Sequence, residues 1–412
     1  MKADPEVKIK YASKFASIAN YWKKWIGESQ GLEKSSAIQR KLNLEVEFND
    51  RINESPKLRH QYSGIVDNMN QIYDSQSDLA TASALHGEIF GRNIELVRIL
   101  NLLDDLKNRY KNNGLEAYEN RLARISPYLK NLYKNFDPRV DKYVCEKLIQ
   151  IYFTQMPEAF NEKEWAANYL KSSGSGKGVG VLYRSFITDQ DKVFDIIDDP
   201  EALTEALLND PAAKFFMPLQ SRFNKNVNEP YSAQKNELNE LQRVYMKGLM
   251  EAFPNKRFAP DANSTMRVTY GKVKGYSPKD GVYYTPQTYL RGVMEKYMPG
   301  DYEFDVDPKL ISLYQDKDYG PYGDDGKMPV CFIGTNHTTG GNSGSPVIDA
   351  EGNLIGLNFD RVWEGTMSDL NYDPEICRNI MVDARYILFI IDKFAGASHL
   401  VDEMKLVHPK AN

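Results

Sequence analysis

Apolar residues recur at helical spacing from about residue 10 to 255, and the pattern changes character near Pro254. Leu79 to Leu106 is one long periodic stretch that only Gly87 and Gly91 interrupt. Ser232 to Phe253 places Leu238, Leu241, Tyr245, Leu249 and Phe253 on one face. Charged and amide side chains fill much of the opposite faces, which favours a helical domain packed on its own core over a partner-binding surface. After Pro254, Met266 to Tyr276 alternates with period two and predicts a strand. A short helix is expected over Thr288–Tyr297, a strand over Met328–Gly334, and strand, tight turn, strand over Val347–Leu357. Ile380–Asp383 reads as a buried strand leading to helices at Arg385–Phe394 and His399–Leu406. The fold class is therefore α+β, with a helical domain over residues 1–255 and a β-rich part over 256–412.

Composition narrows this picture. A chain of 412 residues is comfortable for two domains, and 42% apolar with 26% charged residues is ordinary for a globular protein. A net charge of −5 gives no reason to expect nucleic acid, since phosphate binding wants a basic face. Apolar runs such as Tyr386–Ile391 are far too short to span a bilayer, so no membrane partner is expected. Cys145, Cys331 and Cys377 are odd in number and match no zinc spacing, and no cofactor or metal is expected. Met1-Lys2-Ala3-Asp4-Pro5 has no apolar core and is not a signal peptide.

The candidate chemistry lies in Gly341-Asn342-Ser343-Gly344-Ser345-Pro346-Val347. A serine nucleophile needs a tight turn that exposes its hydroxyl, and bare backbone so that N–H groups can reach a developing oxyanion. Glycine supplies both, because it tolerates positive φ and leaves room for a substrate carbonyl. The hairpin that follows matches the layout after the nucleophile in chymotrypsin-like serine peptidases. The bland alternative is a Gly/Ser-rich loop without chemistry. Ser345 competes with Ser343, but the glycine-flanked position fits the turn better. Ser173-Gly174-Ser175-Gly176-Lys177-Gly178 looks like a phosphate loop, yet Lys171 and Gly178 stand where that motif needs glycine and a hydroxyl residue. A flexible loop is the reading there.

The chain resembles the bacterial serine dipeptidyl-peptidases that include dipeptidyl-peptidases 7 and 11. The resemblance rests on the joint order of Tyr11-Ala12-Ser13, Ile18-Ala19-Asn20-Tyr21-Trp22-Lys23, Met266 to Tyr276, and Gly334-Thr335-Asn336-His337-Thr338-Thr339 running into the serine turn. It continues through Gly356-Leu357-Asn358-Phe359-Asp360-Arg361 and Val382-Asp383-Ala384-Arg385-Tyr386. It implies a chymotrypsin-type double β-barrel with a large inserted helical domain, of which this sequence holds the helical domain and the second barrel. It also implies a catalytic histidine and aspartate upstream of the helical domain. Nothing in these residues matches them, so the sequence looks like the C-terminal portion of a longer enzyme, inactive alone.

The resemblance assigns Ser343 as nucleophile, and the backbone N–H groups of Ser343 and Gly341 are the expected oxyanion donors. Asn342 stands where chymotrypsin has an aspartate that pairs with a freed N-terminal ammonium, so activation by that ion pair is not expected. Arg361, eighteen residues after Ser343, falls on the strand that walls the primary specificity pocket. Family members with arginine there prefer acidic residues before the scissile bond, and a guanidinium suits a carboxylate. The bland reading is a surface ion pair with Asp360 or Glu364. Asn20 and Asp360 fit the family's positions for the free α-ammonium of the substrate, Asn20 otherwise being a helix cap or surface amide. With Asn20 in it, the helical domain would cap the cleft. Asp360 and Arg361 are strand neighbours, so both serve one site only if the strand bends. His337 is weighed as a base within the chain and read instead as part of the approach loop. His60, His86, His399 and His408 read as surface or core residues.

The expected activity is release of N-terminal dipeptides after Asp or Glu. The alternatives are a glutamyl endopeptidase, which can share the serine string, and a non-catalytic fragment or binding module. Peptides with a free N-terminus are the expected partners, a homodimer is carried as an open expectation, and the family implies a periplasmic location.

Overall fold

The computed structural model describes residues 4–172, 178–256, 258, 263–301 and 303–407. Ser173–Lys177 of the phosphate-loop-like string and His408 lie outside the described residues.

Among the described residues, helices dominate from Pro5 to Ala252, opening with α1 (Pro5–Lys34) and α2 (Ala37–Glu54). The stretch from Leu79 to Leu106 is not one helix. A helix over Ser77–His86 runs into a π-helical turn, Gly87–Asn93, and Ile94 turns extended before a long helix over Glu95–Lys134. The break is stabilised from a distance. Asp141, on the helix Pro138–Gln155, accepts hydrogen bonds from the N–H groups of Glu95 (2.8 Å) and Leu96 (3.0 Å). These are orphan donors of a new helix start, so a carboxylate from another helix acts as its cap. Leu96, Ile99, Leu100, Leu103 and Leu106 on that helix are buried in the principal core.

The chain divides into two compact units. One joins Met1–Ser17 to Glu45–Lys256, the other Ile18–Leu44 to Arg257–Asn412. Residues 18–44, helical as the pattern predicts, therefore pack with the β-rich part. In the second unit, β1 (Tyr276–Lys279) and β2 (Val282–Tyr284) form an antiparallel pair. A five-stranded antiparallel sheet holds β3 (Gln287–Tyr289), β4 (Pro329–Gly334), β5 (Pro346–Ile348), β6 (Leu354–Arg361) and β7 (Asn379–Asp383) in the order β3-β4-β7-β6-β5.

Three expectations are corrected here. The sheet is open, not a closed barrel, because the outer strands β3 and β5 are three residues each and do not pair with each other among the described residues. Met266–Gly275 is not a strand. It makes a single bridge, Val273 to Gly334, and Met266, Val268 and Tyr270 stay exposed, so its alternation buries no face. The short helix expected from Thr288 starts at Leu290, since Gln287–Tyr289 pairs with β4.

Candidate active site

Ser343 sits on the turn between the approach loop and β5, and it is exposed. Gly341 (φ +96°) and Gly344 (φ +81°) flank it in the left-handed region, where a side chain would be strained. The turn is pinned on both sides. Gly344 N–H donates to the Asn358 carbonyl (2.7 Å), Asn358 N–H donates to the Ser345 carbonyl (2.9 Å), and Asn342 N–H donates to the Thr339 carbonyl (3.2 Å). Among the described residues, the N–H groups of Gly341 and Ser343 have no acceptor, which leaves both free for an oxyanion. Asn342, lacking the charge for an ion pair, accepts from Thr339 N–H (3.0 Å) through its side-chain oxygen.

The hydroxyl of Ser343 donates to the Phe359 carbonyl (3.4 Å), and no described histidine bonds it. His337 Nε2 lies 3.0 Å from the Ser368 carbonyl, which accepts only, so that nitrogen carries its proton toward the pocket wall. His86 is buried elsewhere, between Tyr152 and Gln220.

Beside the turn, His337, Arg361, Ser368, Cys377, Arg378 and Asn379 line a small pocket. A bulge decides that Arg361 is among them. In β6, Asn358 pairs with Met381 and Asp360 with Ile380, leaving Phe359 as an extra residue. Arg361 is thereby returned to the face of Asn358 and pairs with Asn379. Without the extra residue it would point to the other side. The strand does bend, but the bulge precedes Asp360, so Asp360 and Arg361 still point to opposite faces. Asp360 is exposed, and one of its oxygens accepts from Arg361 N–H (2.8 Å).

The Arg361 guanidinium donates to Ser368 Oγ (2.7 Å) and Asp369 Oδ2 (2.9 Å), not to Asp360 or Glu364. Glu364 instead accepts from Tyr276 Oη (2.6 Å). Ser368 and Asp369 end a helical turn, Trp363–Asp369, against which α1 packs. A Cβ on Gly27 would lie 2.4 Å from Thr366 Oγ1, and one on Gly31 2.9 Å from Met367 Cγ. Lys24 Nζ lies 3.9 Å from Asp369 Oδ2. Asn20, Lys24, Gly27 and Gly31 share one helix face by spacing, which puts Asn20 one turn beyond this contact. Asn20 is exposed and lies in mid-helix, so it is not a cap.

An amide ladder joins turn and pocket. Asn358 Nδ2 donates to the Asn342 carbonyl (3.2 Å), and Asn379 Nδ2 donates to Asn358 Oδ1 (2.9 Å). Sequence reasoning missed Ser368, Asp369, Asn379 and Arg378. The first two reach Arg361 only by the fold-back of their turn. A charged residue directly before a buried strand was the one signal pointing to Arg378.

Fold and site together define the class: a mixed helical and sheet protein of the peptidase kind. The chain belongs to the Peptidase S46 family, whose model matches residues 1–406. It is 48% identical over 412 residues to an Asp/Glu-specific dipeptidyl-peptidase of Flavobacterium psychrophilum, covering 100% of this chain and 57% of the relative. It is 36% identical over 417 residues to a dipeptidyl-peptidase 7 of Phocaeicola vulgatus, covering 99% of this chain and 56% of the relative. The crystal structure of Porphyromonas endodontalis DPP11 in complex with the dipeptide Arg-Glu is similar, with TM-score 0.80 and 32% identity over 97% of this chain and 57% of that one. The chain thus spans just over half the length of the relatives it matches.

Proposed function

We propose that this chain carries the nucleophile, oxyanion donors and specificity pocket of a serine peptidase that releases N-terminal dipeptides after Asp or Glu. The observation that carries the reading is the exposed Ser343, with two free N–H groups around it, next to a pocket walled by Arg361. Ser343 attacks the scissile carbonyl, the N–H groups of Gly341 and Ser343 hold the oxyanion, and Arg361 receives the acidic side chain. Asn20 binds the substrate's α-ammonium, while Asp360, the second group expected there, lies on the face of β6 opposite Arg361. The names of the relatives support the substrate class. The general base is none of the described histidines, so the chain by itself supplies an incomplete triad. A periplasmic location belongs to the same reading, on the strength of the resemblance alone.

Binding tests this without requiring turnover. In calorimetry with Ser343→Ala chain, a tripeptide with a free N-terminus and glutamate second should bind, and its N-acetylated form should bind at least about tenfold more weakly. Equal affinity for the two would favour a glutamyl endopeptidase. Absence of binding to both would favour a non-catalytic module.

A further inference from the structure

Arg361 cannot by itself make the pocket select a carboxylate, because its guanidinium is already paired with Asp369 at 2.9 Å. That pair is close to neutral toward an incoming side chain, and the further cation near Asp369, Lys24 at 3.9 Å, is 44% exposed and screened by solvent. A second guanidinium lies in the same pocket wall. Arg378 is 3% exposed, and all its recorded hydrogen bonds go to backbone carbonyls. Nε donates to Lys274 (3.0 Å), Nη1 to Pro374 (2.8 Å) and Cys377 (2.7 Å), and Nη2 to Gly275 (3.1 Å). The ring of Tyr276 lies 5.5 Å away, and Tyr372 and Cys377 feel both the Arg378 charge and that of Asp373. Among the described residues no carboxylate pairs with it. Carbonyl dipoles solvate the cation but do not cancel its charge, and a charge out of water without a counter-anion acts over a long range.

We propose that Arg378 is a specificity-determining residue: its uncompensated charge makes the Arg361–Asp369 pocket electropositive and so selects a carboxylate side chain. This rests on the reading that the pocket receives the substrate's acidic side chain. Arg378 acts through its field, without touching the ligand. The carbonyl cage fixes the charge in place, so selection requires no movement on binding.

Calorimetry with the dipeptides Arg-Glu and Arg-Gln, nearly isosteric and differing by one charge, tests it on the intact chain. The ratio of their affinities is the readout, and a purely structural role would not move it. Arg378→Gln should lower the Glu/Gln ratio about tenfold. Asp369→Asn should raise it, and the double variant should return it toward the wild-type value. An unchanged ratio in folded Arg378→Gln overturns the proposal. If that variant fails to fold, Arg378→Met, of similar length and without charge, is read in the same way: a lowered ratio supports the proposal and an unchanged one overturns it. A ratio that Arg361→Gln leaves untouched, or no binding of either dipeptide to wild type, overturns the pocket reading and this inference with it.

Discussion

Arg361 shows how much one side chain's meaning depends on its partners. Its position after the serine hairpin marks it as a pocket residue, and the pocket contains it. Its ion-pair partner, Asp369, lies eight residues on, where neither of the partners weighed from the sequence stands. On the proposed reading, replacing Arg361 by glutamine removes a charge-assisted donor to the acidic side chain. We expect roughly 10–100-fold weaker binding of a glutamate-bearing dipeptide, with the glutamine analogue little changed, measured by calorimetry. Ser343 was legible because its requirements are local: two glycines at positive φ within four residues write the turn. Asp369, Ser368 and Arg378 were not, because each reaches the pocket through contacts that no short window contains.

At the scale of elements, α1 and the Trp363–Asp369 turn depend on small residues. Gly27 and Gly31 let the helix backbone approach Thr366 and Met367 more closely than any Cβ permits. Gly31→Leu should push them apart and cost about 1–3 kcal/mol, with weakened dipeptide binding as the turn carries Ser368 and Asp369 with it. Thermal melts and calorimetry check both effects. The helical unit offers a second test. Burial holds the Asp141 carboxyl up at about 6, against the N–H groups and the Tyr183 hydroxyl that favour its charge. Its folded pKa exceeds its unfolded one, so its contribution is present below about pH 4 and lost as pH rises through 6. Burial lowers His86 to about 4, despite its bond to Gln220. That contribution is present above pH 6.5 and lost as pH falls through 4. Each shift is worth roughly 3 kcal/mol, and the two oppose one another across the same window. Relative to wild type, Asp141→Asn should gain stability as pH rises from 4 to 6.5, and His86→Gln should lose it. Urea midpoints across that range read the difference, and parallel profiles for the two variants would refute the assignment. The helix break at Ile94 escaped the periodicity because its cap, Asp141, arrives from another helix. The Met266–Tyr276 alternation misled for the converse reason: a strand pattern has no force without a partner strand and a face to bury.

For the whole molecule, the chain passes between its two units three times, since residues 18–44 leave the first unit and return to it. The part that carries Asn20 is thereby grouped with Ser343 and Arg361. His337 bonds the Ser368 carbonyl, His86 is buried in the first unit, and no described histidine hydrogen-bonds the Ser343 hydroxyl; on the proposed reading the base is none of them. The 412-residue chain alone should therefore hydrolyse an acidic dipeptide substrate no faster than roughly 10³–10⁴-fold over water, the remainder left by an oxyanion hole and binding. Steady-state assay of the purified chain checks this, and full turnover would require a base within it.

By itself the sequence determined the helical character of the first part, the glycine-flanked Ser343 turn with its hairpin, and the strand that bears Arg361. Each follows from spacing or from backbone freedom within a few neighbouring residues. The tertiary structure alone decided that the sheet stays open, that residues 18–44 pack with the β-rich part, and that one extra residue in β6 turns Arg361 into the pocket. It also decided which charges in that pocket are cancelled. Registers and ion pairs join residues far apart in the chain, and their energies exist only once folding has brought those residues together.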